Sequence, residues 1–303
     1  MQKDDKLRRK IIFILNPISG VSKKSVIEDM IHMYIDSNQF DYVIKYTDHP
    51  NHGTEIAREA VKDGYDMVVA VGGDGSVNEV SEGLIGSDVI LGIIPAGSGN
   101  GYAMYLGIGR EIKKAIKILN KGKVRVMDTG SINQQPFVNL AGIGFDAKIA
   151  YLYRNVKRRG FWGYFKTAVK ETVYFRFHSY SVIIDGKEIL KEKKCFTIVV
   201  ANAPMYGYGF IIAPKARPDD GKLEVVIFHK APLWRIFFSL WRFLNHSMDK
   251  TRIADRYSGE TVEIICHEDS FAHTDGEGFT VSGTQIFTIR PKSLRVWTGL
   301  IES

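Results

Sequence analysis

Residues 67–80 constrain the fold of this chain most, because an apolar segment runs there directly into a glycine-rich turn. The opening part, residues 67–71, is apolar and rich in valine, which is typical of a buried strand. Glycine lets a chain turn sharply and approach another group closely, since it has no Cβ. The glycines that follow the segment are Gly72, Gly73 and Gly75. Ser76 with Glu79 three residues later has the capping-box pattern, so we predict that a helix begins at Ser76.

A strand, a glycine turn and a helix N-terminus in this order can present free backbone N–H groups to a phosphate. Asp74 lies inside the turn, and a carboxylate beside a phosphate is suited to share a Mg²⁺ ion with it. The alternative is an ordinary turn in which Asp74 only caps the helix. The chain contains neither G-x-x-x-x-G-K-[ST] nor G-x-G-x-x-G, which excludes a P-loop and the Rossmann fingerprint.

Length and charge set the class of protein. The 303 residues are enough for two domains, and the net charge of +7 favours anionic partners such as nucleotides or acidic lipid surfaces. We find no nucleic-acid-binding module and expect no nucleic-acid partner. No signal peptide and no apolar run of membrane-spanning length is recognised, so we expect a cytoplasmic protein. Cys195 and Cys266 are interpreted as reduced core residues.

Strands and helices alternate in the first part of the chain, which favours a doubly wound parallel sheet. We predict strands at residues 11–15, 41–47, 67–71 and 90–94, and helices at residues 23–36 and 53–64. Ligands of such sheets bind at the carboxyl ends of the strands. The loops at that edge are residues 16–20, Thr47, residues 72–76 and residues 97–100.

Three of these loops resemble motifs of the diacylglycerol and sphingosine kinase family, whose relatives include the NAD kinases. They read Asn16-Pro-x-Ser-Gly20, Gly72-Gly-Asp-Gly-Ser-x-Asn-Glu79 and Pro95-Ala-Gly-Ser-Gly-Asn100. The resemblance implies ATP with Mg²⁺ as the bound nucleotide. The binding residues it implies are Asn16, Pro17, Ser19, Gly20, Thr47, Gly72, Gly73, Asp74, Gly75, Ser76, Val77, Asn78, Glu79, Gly97, Ser98 and Asn100. Many bacterial members have an aspartate where this chain has Gly101, which weakens any acidic role at that position.

After about Asp128 the chain reads as strands joined mostly by turns. The predicted strands are residues 124–132, 137–143, 180–185, 195–201 and 223–228, with helical inserts at 145–155 and 161–174. The predicted fold is therefore a doubly wound α/β domain of the NAD kinase and diacylglycerol kinase type, followed by a mostly antiparallel β-sandwich. We place the first domain at residues 1–128, completed by about residues 291–303, and the second at residues 129–290.

Three further segments resemble family motifs. Asn139-Leu-Ala-Gly-Ile-Gly-Phe-Asp146 resembles the N-x-x-G-x-G-x-D segment, although it also reads as a closely packed glycine-rich strand. Residues 214–223 resemble P-x-x-x-x-x-D-G-x-L, a loop that holds a structural Mg²⁺ in the family. The ligands this implies are the Asp220 side chain and the main-chain oxygens of Arg217 and Lys222. The alternative is an ordinary Asp-Gly turn that leads into a strand.

The third segment is Asp275-Gly-Glu277, which resembles the D-G-E segment that reaches the nucleotide in this family. A kinase that acts on a hydroxyl needs a carboxylate to accept the hydroxyl proton. Asp275 and Glu277 are both candidates, because residues i and i+2 of an extended segment share one face. The sequence leaves open which of the two is the base, and an Asp-Gly turn with a purely structural role is the alternative.

Two segments could contact a membrane. Residues 154–165 hold a basic turn followed by aromatic residues, which fits either a membrane interface or a buried helix behind an exposed turn. Residues 232–246 form a predicted amphipathic helix that is either core, the wall of a lipid pocket or an interfacial anchor.

These features together predict a cytoplasmic ATP-dependent lipid kinase that associates transiently with the inner face of the membrane. Asp74 would orient Mg²⁺–ATP, and a lipid such as diacylglycerol or a sphingoid base would be the acceptor. An NAD kinase is the alternative enzyme, and a non-catalytic nucleotide- or lipid-binding regulator is the alternative of another class. A homodimer is one arrangement that the sequence leaves open.

Overall fold

The computed structural model describes residues 8–17, 24–153, 161–232 and 254–299. The chain divides into two compact units. The first unit comprises Met1–Met127 with Ser293–Ser303, and the second comprises Asp128–Lys292. Each unit has its own sheet pattern and is described separately below.

The first unit is an α/β domain. Its strands are β1 (Arg9–Leu15), β2 (Phe40–Tyr46), β3 (Met67–Gly72) and β4 (Ile90–Pro95). Its helices are α1 (Lys24–Tyr34), α2 (His52–Lys62), α3 (Asp74–Leu84), α4 (Gly101–Tyr105) and α5 (Ile112–Lys121). The strands pair in the order β2-β1-β3-β4, and all three pairings are parallel. The continuous apolar runs of β1 and β3 are buried, as a parallel sheet requires, so the predicted α/β fold class is confirmed.

The second unit is strand-rich. Its strands are β5 (Lys123–Ile132), β6 (Gln135–Phe137), β7 (Leu140–Gly144), β8 (His178–Ile184), β9 (Lys187–Ala201), β10 (Leu223–His229), β11 (Ala254–Gly259), β12 (Thr261–Thr274) and β13 (Glu277–Thr298). Its helices are α6 (Phe145–Tyr153) and α7 (Phe161–Tyr174). The pairings of β7 to β12 with one another, and of β12 with β13, are antiparallel. This confirms the predicted antiparallel second domain.

The last strand contributes to both units. It is a single long strand, β13, that also includes Pro291. From Ser293 onward its residues belong to the first unit, where Arg295 and Val296 pair in parallel with β4. Pro291 has no backbone N–H group to donate to a neighbouring strand. The next N–H group, that of Lys292, donates to Asp128 Oδ1 at 2.7 Å.

Both cysteines are free and buried, in agreement with their predicted place in the core. Burial raises the pKa of the Cys195 thiol and of the Cys266 thiol to about 12. Among the described residues, no helix is both long and apolar enough to cross a bilayer. The basic turn at residues 154–160 and, apart from Pro232, the predicted amphipathic helix lie outside the described residues.

Candidate functional site

The glycine turn leads into a helix earlier than the sequence predicts. Helix α3 begins at Asp74, directly after β3, and its N-cap is Gly73 in an extended conformation. The predicted capping box is therefore wrong, because Ser76 lies inside the first turn. Glu79 has another partner, since its carboxylate accepts the N–H groups of Asn51 at 3.2 Å and Gly53 at 3.1 Å.

Two of the predicted nucleotide loops touch each other. Gly72 O accepts the N–H groups of Ala96 at 2.8 Å and Gly97 at 3.2 Å. A Cβ atom added to Gly97 would lie 2.3 Å from the Cα atom of Gly73, so this approach requires glycine at position 97. Asn100 closes the second loop, because its side chain accepts the Gly97 N–H at 3.1 Å and donates to Gly97 O at 2.8 Å. The glycines thus allow the backbone of the loop at Gly72 and Gly73 to pack directly against the backbone of the loop at Gly97.

Asp74 lies under this second loop. Burial raises the pKa of the Asp74 carboxyl above 3.8, and the nearby backbone N–H groups of Asn100, Gly101 and Tyr102 lower it by less. These N–H groups belong to the beginning of α4, where Gly101 stands in place of the family's aspartate. A carboxyl in such a place is difficult to ionise until a positive charge arrives.

Asp74 and Asn78 present oxygens that have no partner. The two residues are four apart in α3, so their side chains lie on one face of the helix. The Oδ1 atom of each is buried and has no hydrogen-bond partner in the part of the chain that the structure describes. An oxygen buried in this way costs about 1–3 kcal/mol. Carboxylate and amide oxygens are suitable ligands for Mg²⁺, so these residues fit a magnesium–nucleotide group.

The other predicted nucleotide residues of the first unit lie at the same sheet edge. Asn16 follows β1 and donates its N–H to Val71 O at 3.3 Å, while Thr47 follows β2 and donates its N–H to Leu15 O at 2.9 Å. Ser98 is exposed in the loop before α4. Val77 differs, because its side chain is buried in the core and can offer a ligand only backbone. Ser19 and Gly20 lie outside the described residues.

In the second unit, the Asp275-Gly276 pair forms the hairpin turn between β12 and β13. Asp275 has φ 48° and Gly276 φ 90°, so the assumption that Asp275 and Glu277 share one face of an extended segment is wrong. Both carboxylate oxygens of Asp275 are used. Oδ2 accepts Val138 N–H at 2.8 Å, and Oδ1 accepts the N–H groups of Asn139 and Leu140 at 3.0 and 2.9 Å. Glu277 opens β13 and is exposed.

A buried polar cluster supports this turn. His273 Nε2 lies 3.0 Å from Asp146 Oδ2, and Tyr206 and Thr197 donate their hydroxyls to the same carboxylate. Burial would raise the pKa of Asp146, but His273 and these hydrogen bonds outweigh it and hold the pKa below 3.8. Because Gly276 N–H donates to His273 Nδ1 at 3.3 Å, the ring connects Asp146 to the turn.

The sequence analysis singled out only Asp146 of this cluster. His273, Tyr206 and Thr197 carry no local signal, since their contacts join distant parts of the chain.

The loop predicted to hold a structural Mg²⁺ is closed by hydrogen bonds of its own. Asp220 N–H donates to Arg217 O at 3.4 Å, and Lys222 N–H donates to Asp220 Oδ1 at 3.0 Å. Buried Asp128, which the sequence analysis did not assign to a site, accepts Gly221 N–H at 2.8 Å. Asp220 is exposed, so a cation could reach it, although the turn does not depend on one.

Comparison with protein families places known domains on both units. The diacylglycerol kinase catalytic domain matches residues 10–132, and the YegS C-terminal NAD kinase beta sandwich-like domain matches residues 139–298. The second match alone covers more than half of the chain.

Curated relatives carry kinase names. A diacylglycerol kinase of Bacillus subtilis (strain 168) is 33% identical over 185 residues, which are 59% of this chain and 60% of that protein. A "Probable lipid kinase YegS-like" protein of Chromohalobacter salexigens is 32% identical over 179 residues, which are 58% of each chain. The chain thus spans about half to three fifths of the first curated relatives that it matches.

Solved structures share the fold. A crystal structure of a diacylglycerol kinase from Bacillus anthracis str. Sterne superposes with a TM-score of 0.71. It covers 96% of this chain and 97% of its own, at 21% identity. At that identity the likeness establishes the architecture alone.

Proposed function

Because this chain belongs to the family that joins a diacylglycerol kinase catalytic domain to a YegS C-terminal NAD kinase beta sandwich-like domain, we propose that it is an ATP-dependent lipid kinase. The proposed reaction transfers the γ-phosphoryl group of ATP to a hydroxyl group of a lipid such as diacylglycerol or a sphingoid base. The names of the two relatives described above support a lipid acceptor.

The observation that carries the proposal is the pair of buried, unpartnered oxygens of Asp74 and Asn78. They lie in the first two turns of α3, whose leading N–H groups favour an anion. In a metal-bound phosphate, the metal ion would be a partner for the two oxygens. The phosphate would be the anion that the N-terminus of α3 favours.

Residues of the first unit would hold and orient the nucleotide. Asp74 and Asn78 would bind Mg²⁺, which would neutralise charge on the phosphate oxygens. The backbone of the glycine turn would bind the phosphates, and Asn100 would keep the neighbouring loop in place through its two bonds to Gly97. The Asp220 loop is a second place that suits Mg²⁺, with a structural role.

A residue of the second unit would take the proton from the hydroxyl group of the acceptor lipid. We assign the base to Glu277 and not to Asp275, because three backbone N–H groups already occupy the oxygens of Asp275. In this proposal Glu277 accepts the hydroxyl proton as the lipid oxygen bonds to the γ-phosphorus, and the bond from that phosphorus to the β–γ bridging oxygen breaks, so that ADP leaves. Asp275 and His273 would stabilise the hairpin turn that precedes Glu277.

The acceptor would be taken from a membrane surface. The net charge of +7 supports attraction to acidic lipid. Each Lys or Arg near such a surface contributes about 1 kcal/mol to the free energy of membrane binding. Sedimentation with anionic vesicles should then weaken as salt rises. Binding that ignores lipid charge would reject this part of the proposal.

The function is tested by phosphoryl transfer from γ-labelled ATP in the presence of Mg²⁺. The acceptors should include diacylglycerol, sphingosine and ceramide in mixed micelles, with NAD as a competing candidate. We expect label in at least one lipid and none in NAD. Label in NAD alone would establish an NAD kinase, and label in no acceptor, with ATP still bound, would support a regulator.

A further inference from the structure

A second group of metal-type ligands lies in the loop between β2 and α2. Asp48 and His49 follow Thr47 in this loop, and His52 opens α2. One ligand atom from each of the three residues lies within 4.8 Å of the others. The group is separate from the oxygens of Asp74 and Asn78 on α3.

The ligand atoms converge on one point. Asp48 Oδ1 lies 2.7 Å from His52 Nδ1, and it also contacts His49 Nδ1. The two imidazole rings stack with centroids 4.4 Å apart and planes 11° from parallel. His52 Nδ1 accepts the Asp48 N–H at 3.2 Å, and a metal bound to this nitrogen would replace that hydrogen bond. A carboxylate oxygen and ring nitrogens this close repel one another unless a proton or a cation lies between them.

Charge at the loop favours a cation. Two carboxylates contact the His49 ring, since Asp48 Oδ1 lies against Nδ1 and Glu55 lies against Nε2. Glu55 lies on the far side of the ring, with its carboxylate 3.3 Å from His49 Nε2. A carboxylate on the second ring nitrogen is the usual partner of a metal-binding histidine, because it fixes which nitrogen faces the metal.

We propose that Asp48, His49 and His52 form a binding site for a divalent transition-metal ion of the zinc class. The ligands are the Asp48 carboxylate and the two Nδ1 atoms. Two imidazoles select zinc, cobalt, nickel or copper over magnesium and calcium, which prefer oxygen ligands. Three protein ligands leave at least one coordination position for water or an anion.

A metal at this site would fix the loop against α3. Asn51, the last residue of the loop, and Gly53, in the first turn of α2, donate their N–H groups to Glu79, and Thr54 Oγ1 of α2 donates to Glu79 O at 2.8 Å. Helix α3 carries Asp74 and Asn78, so binding at the loop and binding at α3 are connected through Glu79. The site is therefore linked through Glu79 to the helix that carries Asp74 and Asn78.

The test is a titration of the metal-free full-length protein, without an affinity tag, with Co²⁺ followed by visible absorption and with Zn²⁺ by calorimetry. We expect one ion per chain, with d–d absorption from bound Co²⁺. Asp48→Asn, His49→Gln and His52→Gln should each weaken binding at least about tenfold, the lower bound for lost support of a metal site. The matched control is His229→Gln, because His229 also pairs with an aspartate, Asp255, at 2.7 Å but belongs to no group of three metal-type ligands among the described residues.

The control should bind as the parent does. The site is rejected if the parent binds no stoichiometric Co²⁺ or Zn²⁺, or if all three variants bind with parental affinity. Because Asp48 and His49 are exposed, their variants should keep the parental circular dichroism and melting temperature, so a loss of binding can be assigned to the site. Saturating Zn²⁺ should raise the melting temperature of the parent and not that of His49→Gln.

Discussion

Asp74 and Asp275 occupy similar sequence motifs and different environments. Each is followed by a glycine, and the sequence assigns both to the phosphoryl-transfer site. Asp74 is the first residue of α3, whereas Asp275 lies in a hairpin turn. The structure leaves Asp74 Oδ1 buried without a partner and gives Asp275 three backbone N–H groups. The comparison teaches that an Asp-Gly pair does not determine the role of its carboxylate, because both oxygens of Asp275 have N–H donors while Oδ1 of Asp74 has none among the described residues.

The largest effect is expected for Asp74→Asn. Loss of a ligand to Mg²⁺ removes several kcal/mol of charge stabilisation, so turnover should fall by roughly three to four powers of ten. Steady-state phosphoryl transfer at saturating Mg²⁺ measures this. Asp88→Asn is the control, because Asp88 is exposed and makes only a surface ion pair with Arg295. Near-parental turnover of Asp74→Asn would remove Asp74 from the site.

The same substitution should not destabilise the fold. The raised pKa of Asp74 means that the folded protein binds a proton there more tightly than the unfolded chain does. Ionised Asp74 therefore costs folding free energy above its folded pKa, and the cost disappears as the pH falls to 3.8, its ordinary value. Without Mg²⁺, Asp74→Asn should unfold at an equal or higher denaturant midpoint at pH 7, and any difference should close towards pH 4.

Glu277→Gln should reduce turnover by roughly two to four powers of ten, the usual contribution of a general base. ATP affinity and the melting temperature should stay at parental values, since Glu277 is exposed. Glu188→Gln, an exposed change in the same unit, is the control. A change confined to KM would give Glu277 a role in positioning the lipid, and parental turnover would place the base elsewhere.

Asp275→Asn should act mainly on stability. The amide cannot accept three N–H bonds with the strength of a carboxylate, so the unfolding free energy should fall by about 2–3 kcal/mol. Turnover of the folded variant should fall less than that of Glu277→Gln. Urea unfolding and single-temperature kinetics on the same preparation separate the two effects. A large loss of turnover at unchanged stability would reverse the roles of Asp275 and Glu277.

The smallest effect is expected for Ser76→Ala. A true N-cap is worth about 1 kcal/mol, but Ser76 lies inside the first turn of α3, so its loss should change the unfolding free energy by less than about 0.5 kcal/mol. Thr54→Val is the matched comparison. It removes a buried bond between α2 and α3 and should cost about 1 kcal/mol. An equal cost for both would restore the capping box.

Local patterns were sufficient for the fold class. Apolar runs such as residues 67–71 identify buried parallel strands. The Asp185-Gly186 pair, a sequence typical of hairpin turns, joins β8 to β9 with φ 49° and 78°. The predicted contacts of single residues were wrong where a residue binds a group that is distant in the sequence and not the expected neighbour. Glu79 binds the loop before α2 in place of Ser76, and Asp275 binds the backbone before β7.

The sequence predicts which loops form the site. It does not predict how the side chains and backbone groups of these loops are placed relative to one another. Sequence spacing places Asp74 and Asn78 at the start of a helix. It cannot show that the loop at Asn100 covers Asp74 and leaves an oxygen without a donor. The same limit applies to His273, whose contact with Asp146 depends on the pairing of β12 with β7.

The central claim is that Asp74 holds the metal of a bound nucleotide, and the most direct test is calorimetric binding of a non-hydrolysable ATP analogue with and without Mg²⁺. We predict that the parent binds at least about tenfold more tightly with Mg²⁺, which is about 1.4 kcal/mol, and that Asp74→Asn loses this difference while still binding the metal-free analogue. Full magnesium dependence in Asp74→Asn would contradict the claim.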